Sequence, residues 1–180
     1  MKELRKITQE ELEEILHKHE LWLENKEGGE KADLSYVDLR GANLEYANLE
    51  YANLTHANLE YANLKYANLI GADLIGANLT GVYLEGTTLE YANLDYANLK
   101  CADLECGNLT GAYLTNTILQ DTIIPNDNKE YIKEEIKVLE TNSMDFNKAF
   151  DIVRYAIDSK NVNEIIMTED KIEIKKIVDK

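Results

Sequence analysis

Few residues of the chain have the type and spacing that chemistry requires. His17 and His19 are two residues apart in a predicted helix, so they face different directions, whereas a helical metal-binding pair needs i, i+4 spacing. Cys101 and Cys106 are five residues apart and form no CxxC motif. We therefore predict free thiols, histidines without a catalytic role, and no metal or cofactor site.

The many carboxylates do not predict catalysis either. Asp and Glu number 34 against 19 Lys and Arg, which gives a formal net charge of −15. Catalytic carboxylates need a cleft, partial burial and contrasting environments, and here those of the repeats fall at outward positions. The sequence contains no Gly-rich phosphate loop and no nucleophile motif. We predict that the protein is not an enzyme.

An alternation of tyrosine and glycine is the best candidate for a contact surface. These residues stand two positions after a regularly recurring Leu, and four successive positions of this kind carry Gly. Isoleucines precede two of them, which predicts a bare, apolar region bordered by tyrosines that would suit a protein partner. The alternative is that Gly and Tyr alternate only for packing. The candidate residues are Ile70, Gly71, Ile75, Gly76, Tyr46, Tyr66, Tyr91 and Tyr96.

The element that must position these residues is a five-residue repeat. Eighteen leucines recur at this interval from Leu34 to Leu119, each with a small residue, mostly Ala, two places before it and usually Asn or Asp between. On an α-helix this interval would spread the leucines around the axis, and on a straight strand it would alternate their faces. A chain that turns one corner per repeat points every Leu inward.

Four such corners close a square of about 20 residues, so neighbouring coils stack at this interval. Asn and Asp suit the corners because they tolerate left-handed conformations and bond nearby backbone. Glu45, Lys65 and Glu85 should then stack as an alternating charge ladder.

The A(D/N)LXX pattern resembles the pentapeptide-repeat family. The resemblance implies an all-β solenoid, a right-handed quadrilateral parallel β-helix of about 4.5 coils, over residues 32–124. The segment from His19 to Leu34 also resembles the leader of many bacterial and phage members, and residues 1–31 are predicted to form an N-terminal helical cap. Thr8 and Glu11 form a capping box for a predicted helix over residues 8–25, which we expect to cap the first coil.

Residues 125–180 predict a small helical or α+β module that caps the other end. Apolar spacing indicates helices over residues 128–140 and 144–159, followed by a hairpin over residues 164–178. Because the segment is longer than a cap requires, it suggests a second task, such as self-association through its last strand.

Two functions compete. The first is a non-enzymatic scaffold for another protein. The second, taken from one branch of the family, is an acidic mimic of DNA that binds DNA gyrase; the short repeat region, its uninterrupted register and the spread of its 12 acidic residues over four sides disfavour it. The acidic balance argues against direct nucleic-acid binding. The absence of a signal peptide or membrane-length apolar run predicts a cytoplasmic location.

Overall fold

The computed structural model describes residues 3–124 and the backbone of residues 164–167 and 172–175. In chain order its elements are β1 (Arg5–Lys6), α1 (Gln9–Leu23), β2 (Val37–Asp38), β3 (Glu164–Met167) and β4 (Ile172–Lys175). The predicted helices over residues 128–140 and 144–159 lie outside the described residues.

The repeats wind into stacked parallel coils. Every isolated bridge joins two residues that are 20 apart, from Asp33–Asn53 to Asp103–Ile123, and all of these bridges are parallel. Backbone hydrogen bonds follow the same interval; the amide of Leu54, for example, donates to the carbonyl of Asp73 at 2.7 Å. Leu54 therefore lies on the same side of the tube as Leu74, which confirms the predicted coil of four repeats.

Leucine and the small residue two places before it fill the interior. The leucines from Leu34 to Leu109 are buried, and each contributes about 1.5–3 kcal/mol of burial free energy as an upper estimate. Thr87 occupies one of the small positions, and its hydroxyl donates to the carbonyl of Leu64 at 2.7 Å. Thr117 and Thr122 make the equivalent bonds, so these threonines fit the repeat without leaving a buried polar group unpaired.

The corners are built differently from the prediction. The left-handed residue is the one two places after Leu, such as Tyr46 at φ 59°, whereas the Asn before Leu takes part in the bridges. The expectation that Asn and Asp adopt the left-handed corner conformation was therefore wrong. Their side chains do bond nearby backbone: the Oδ1 of Asn53 accepts the amide hydrogen of Thr55 at 3.1 Å.

The N-terminal segment packs on the first coil. Thr8 and Glu11 form the predicted capping box, α1 ends at Leu23, and Asn25 follows it with a left-handed φ of 54°. Leu12 belongs to the same buried cluster as the repeat leucines. The strand β1, which the sequence did not predict, pairs in parallel with β2.

The last two strands pair with each other. β3 and β4 are antiparallel, with Ile165 opposite Ile174. They lie within the segment for which the sequence predicted a hairpin, and the residues between them lie outside the described part of the chain.

Candidate protein-contact surface

The four successive glycine corners are covered by aromatic rings from the preceding coil. A Cβ atom on Gly71 would lie 2.6 Å from ring atoms of Tyr51, and one on Gly76 would lie 2.4 Å from the ring of His56. Tyr61 and Tyr66 lie over the next two glycines in the same way. The corners are therefore not bare, and packing accounts for the alternation of Gly with aromatic residues.

The isoleucines of the candidate surface are half-buried. Ile70 precedes the corner that Tyr51 covers, and Ile75 precedes the corner that His56 covers. The flanking tyrosines of the candidate set do not gather at one point, because the 20-residue register distributes them over three corners. Tyr91 follows Gly71 along one corner and Tyr96 follows Gly76 along the next, whereas Tyr46 and Tyr66 share a third.

At that third corner the two tyrosines stack, with ring centroids 5.3 Å apart. The hydroxyl of Tyr66 donates to Glu85 at 3.0 Å, and Lys65 forms an ion pair with the same carboxylate at 2.6 Å. The hydrogen bond from Lys65, then that from Tyr66, lowers the pKa of Glu85. Half of the predicted charge ladder is therefore present, because Glu45 instead accepts a hydrogen bond from Asn63.

Several exposed aromatic residues escaped the sequence analysis. Tyr83 and Tyr113 occupy the outward position before Leu that usually carries Asn, and they are 47% and 58% exposed. Tyr61 is also exposed, and His56 packs against Tyr36 with ring centroids 4.9 Å apart. A comparison of residues 20 apart would have found the covered glycines, since each of the four follows an aromatic residue at that interval.

The described residues offer little else that could bind a ligand. Cys101 and Cys106 are exposed free thiols, and no three potential metal ligands come together in residues 3–124. No helix in the described part of the chain has the length and hydropathy of a membrane span.

The repeats match a known family. Eight copies of the pentapeptide repeat match the chain, in overlapping segments that run from residue 30 to residue 121 and so cover half of it. No curated protein matches the chain.

Solved structures of pentapeptide repeat proteins are also similar. Rfr23 from the cyanobacterium Cyanothece 51142 is 39% identical over 53% of this chain and 62% of its own length, with a TM-score of 0.46. The protein alr5209 from Nostoc PCC 7120 is 33% identical over 53% of this chain and 71% of its own, with a TM-score of 0.41. QnrB1, a plasmid-mediated fluoroquinolone resistance protein, is 17% identical over 62% and 74%, with a TM-score of 0.21.

The match thus spans only about three fifths of the Cyanothece protein. The repeat pattern, the coil of 20 residues and the inward leucines agree with the sequence prediction of a pentapeptide repeat. The chain belongs to the pentapeptide-repeat family, whose members fold as right-handed quadrilateral β-helices.

Proposed function

We propose that the protein is a non-enzymatic scaffold that binds another protein. The observation that supports this is the number of tyrosines that the tube holds at its surface. Eight of them are at least 46% exposed, and tyrosine is enriched at the centres of protein interfaces because one rigid ring offers both apolar area and a hydroxyl. The coil repeats these rings on a backbone that is hydrogen-bonded at every turn.

Within this proposal the contact surface includes Ile70 and Ile75 with the corner tyrosines Tyr91 and Tyr96. We further propose that α1 and β1 close the first coil, that the C-terminal segment closes the last one and mediates self-association, and that the protein acts in the cytoplasm. Each closure would protect a strand edge that otherwise promotes end-to-end pairing.

The test is affinity capture from host lysate with the wild-type chain and with the double variant Ile70→Glu/Ile75→Glu. A control variant, Thr115→Glu, adds a carboxylate at the same repeat position without removing an isoleucine. We expect a partner that the control retains and the double variant loses. A partner held equally by all three chains would place the contact elsewhere, and none at all would contradict the proposal.

The acidic composition alone favours the second candidate, a gyrase-binding mimic of DNA. The acidic side chains of the repeats are spread over four sides and Lys65 neutralises one of them, whereas a mimic should concentrate charge. We therefore expect no inhibition of gyrase supercoiling at micromolar protein and no protection from a fluoroquinolone. Either effect would reverse the order of the two candidates.

A further inference from the structure

Three exposed tyrosines, Tyr61, Tyr66 and Tyr83, lie along one side of the tube. We name it the Tyr83 side; it consists of the outward residues of 42–45, 62–65, 82–85 and 102–105 with their flanking corners. Tyr61 lies over the corner at Gly81, and Tyr66 lies over the corner at Gly86. Tyr83 stands between these corners on the same coil. The two glycines leave room for the rings of Tyr61 and Tyr66, so aromatic rings cover both corners of the coil side that carries Tyr83.

This side also carries an uneven charge. Lys65 is its single cation, and it is already paired with Glu85 at 2.6 Å. On the next coil, Asp103 pairs with Tyr83 in a parallel backbone bridge, and Glu105 lies beside Glu85 at the 20-residue interval. Glu105 is exposed and forms no ion pair within residues 3–124. Asp103 and Glu105 therefore form no ion pair of their own within residues 3–124, since Lys65 is bound to Glu85.

We propose that the Tyr83 side binds a basic peptide segment of a partner protein. An arginine side chain can stack on an exposed ring while its guanidinium group pairs with a carboxylate. Tyr83 supplies the ring, Asp103 supplies a carboxylate about one coil spacing away, near 4.8 Å, and Glu105 supplies another two residues further along the same coil. Nucleic acid carries the opposite charge to the one this side requires. The proposal rests on the proposed scaffold function and specifies the chemistry of one partner.

The side differs from the other three in combining these features. Asp33, Asp73 and Asp95 share another side with Tyr113, but only Asp95 lies on the coil next to Tyr113, whereas Asp103 and Glu105 both lie on the coil next to Tyr83. On the side that holds Glu60, two basic residues, Arg40 and Lys100, offset the acidic ones. The Tyr83 side therefore presents carboxylates that complement a cation next to an exposed aromatic ring.

The test is an NMR titration of the full chain with the acetylated, amidated peptide Arg-Gly-Arg-Gly-Arg at physiological salt. The probe is compared with an analogue that carries neutral citrulline in place of arginine. Two variants address the site, Tyr83→Asn and Glu105→Gln. Tyr113→Asn and Glu60→Gln make the same changes at the same repeat positions on other sides, and Asn is the residue that these repeats usually carry before Leu.

We expect Tyr83→Asn and Glu105→Gln each to weaken binding about twofold to fivefold. The two control variants should bind the peptide as the wild type does, which would show that the effect is local. The citrulline peptide should not bind, which would show that binding depends on charge. Equal losses in all four variants would mean attraction by net charge alone and would overturn the proposal. So would binding of the citrulline analogue, or no shift at millimolar peptide. In those cases a partner that depends on Ile70 and Ile75, on neighbouring sides, would still support the scaffold function.

Discussion

A tyrosine at a coil corner holds a backbone conformation that its side chain disfavours. Twelve corner residues other than glycine have φ between 55° and 61°, a region that costs an L-residue about 1–2 kcal/mol. In this conformation the amide of Tyr51 still donates a hydrogen bond to the next coil, to the carbonyl of Ile70 at 2.8 Å. The ring of Tyr51 covers Gly71. Propensity arguments place Gly and Asn in this region, which is why the sequence identified the corner but not the residue that makes it.

Substitution of Gly71 separates backbone strain from ring packing. Gly41 and Gly71 have nearly the same φ, +64° and +61°, but a Cβ on Gly41 meets nothing within 4 Å whereas one on Gly71 meets Tyr51 at 2.6 Å. We expect Gly41→Ala to lower the free energy of unfolding by about 1 kcal/mol. Gly71→Ala should cost about 1–3 kcal/mol more, as measured by urea denaturation.

Adding Tyr51→Ala to Gly71→Ala should remove most of that excess, since the ring that meets the new methyl group is then absent. If Gly41→Ala and Gly71→Ala destabilise the chain equally, the ring does not depend on the glycine and the covered-corner description is incorrect.

At the scale of elements, the N-terminal segment shows what local sequence can and cannot predict. Thr8 and Glu11 are local signals, and they form the predicted capping box, although α1 begins at Gln9 and ends two residues before the predicted end. The strand β1 is two residues long and has no pattern of its own. It exists because the first coil offers an edge, where the amide of Arg5 donates to the carbonyl of Tyr36 at 2.7 Å, and such tertiary pairing leaves no local signal.

His19 makes the packing of α1 sensitive to pH. Its ring is fully buried, its Nδ1 accepts the amide hydrogen of Ala32 at 3.1 Å, and its Nε2 has no hydrogen bond of acceptable geometry within residues 3–124. Burial lowers the pKa of His19, and the nearby backbone of Glu50 opposes this shift only in part. The neutral ring is therefore the form that the folded segment holds.

Because the folded pKa is depressed, the unfolded segment takes up the proton first. The contribution of His19 is complete above its ordinary pKa of about 6.5 and is lost as the pH falls below that value. We expect the hydrogen-exchange protection factors of α1, which are corrected for the intrinsic exchange rate, to fall as the pH drops below about 6.5, and to fall more than those of the coils.

The variant His19→Gln keeps an acceptor for Ala32 but cannot titrate in this range, so its α1 should not show that extra loss of protection. His17→Gln, which removes an exposed histidine from the same helix, should behave as the wild type. An unchanged pH response in His19→Gln would assign the acid sensitivity to another group.

At the scale of the whole molecule, the tube was predictable because one period sets it. Predicting that the leucines from Leu34 to Leu119 point inward required no information on distant contacts, since a five-residue interval fits neither a helix nor a strand. The aromatic and acidic grouping of the Tyr83 side was not recognised, because Tyr61, Tyr83 and Glu105 come to lie on one side only after the chain is folded into coils of 20 residues. Their spacing of about one coil has no meaning along an extended chain.

The far end of the tube yields a prediction about assembly. Ile118 and Ile123 are exposed at positions where the repeat usually has Asn or Asp. If residues 125–180 cap this end, their deletion should leave a folded β-helix that forms soluble aggregates or fibres, because an uncovered parallel edge pairs with another copy. Light scattering and circular dichroism would measure both properties.

The same truncation with Ile118→Asn and Ile123→Asn restores the usual repeat residue and should assemble less. A truncated chain that stays monomeric with unchanged stability would show that the C-terminal segment is independent of the tube.

Trp22 stacks on His19 in α1, with ring centroids 5.6 Å apart, so the N-terminal segment has a spectroscopic signal that differs from that of the coils. The chain has one tryptophan, and nine of its 11 tyrosines lie in the repeats. Tryptophan emission, which a protonated imidazole quenches, therefore reports on the N-terminal segment alone, while tyrosine absorbance reports mainly on the coils. Local opening of the N-terminal segment and unfolding of the coils can therefore be followed separately, by tryptophan emission and tyrosine absorbance, in one unlabelled sample.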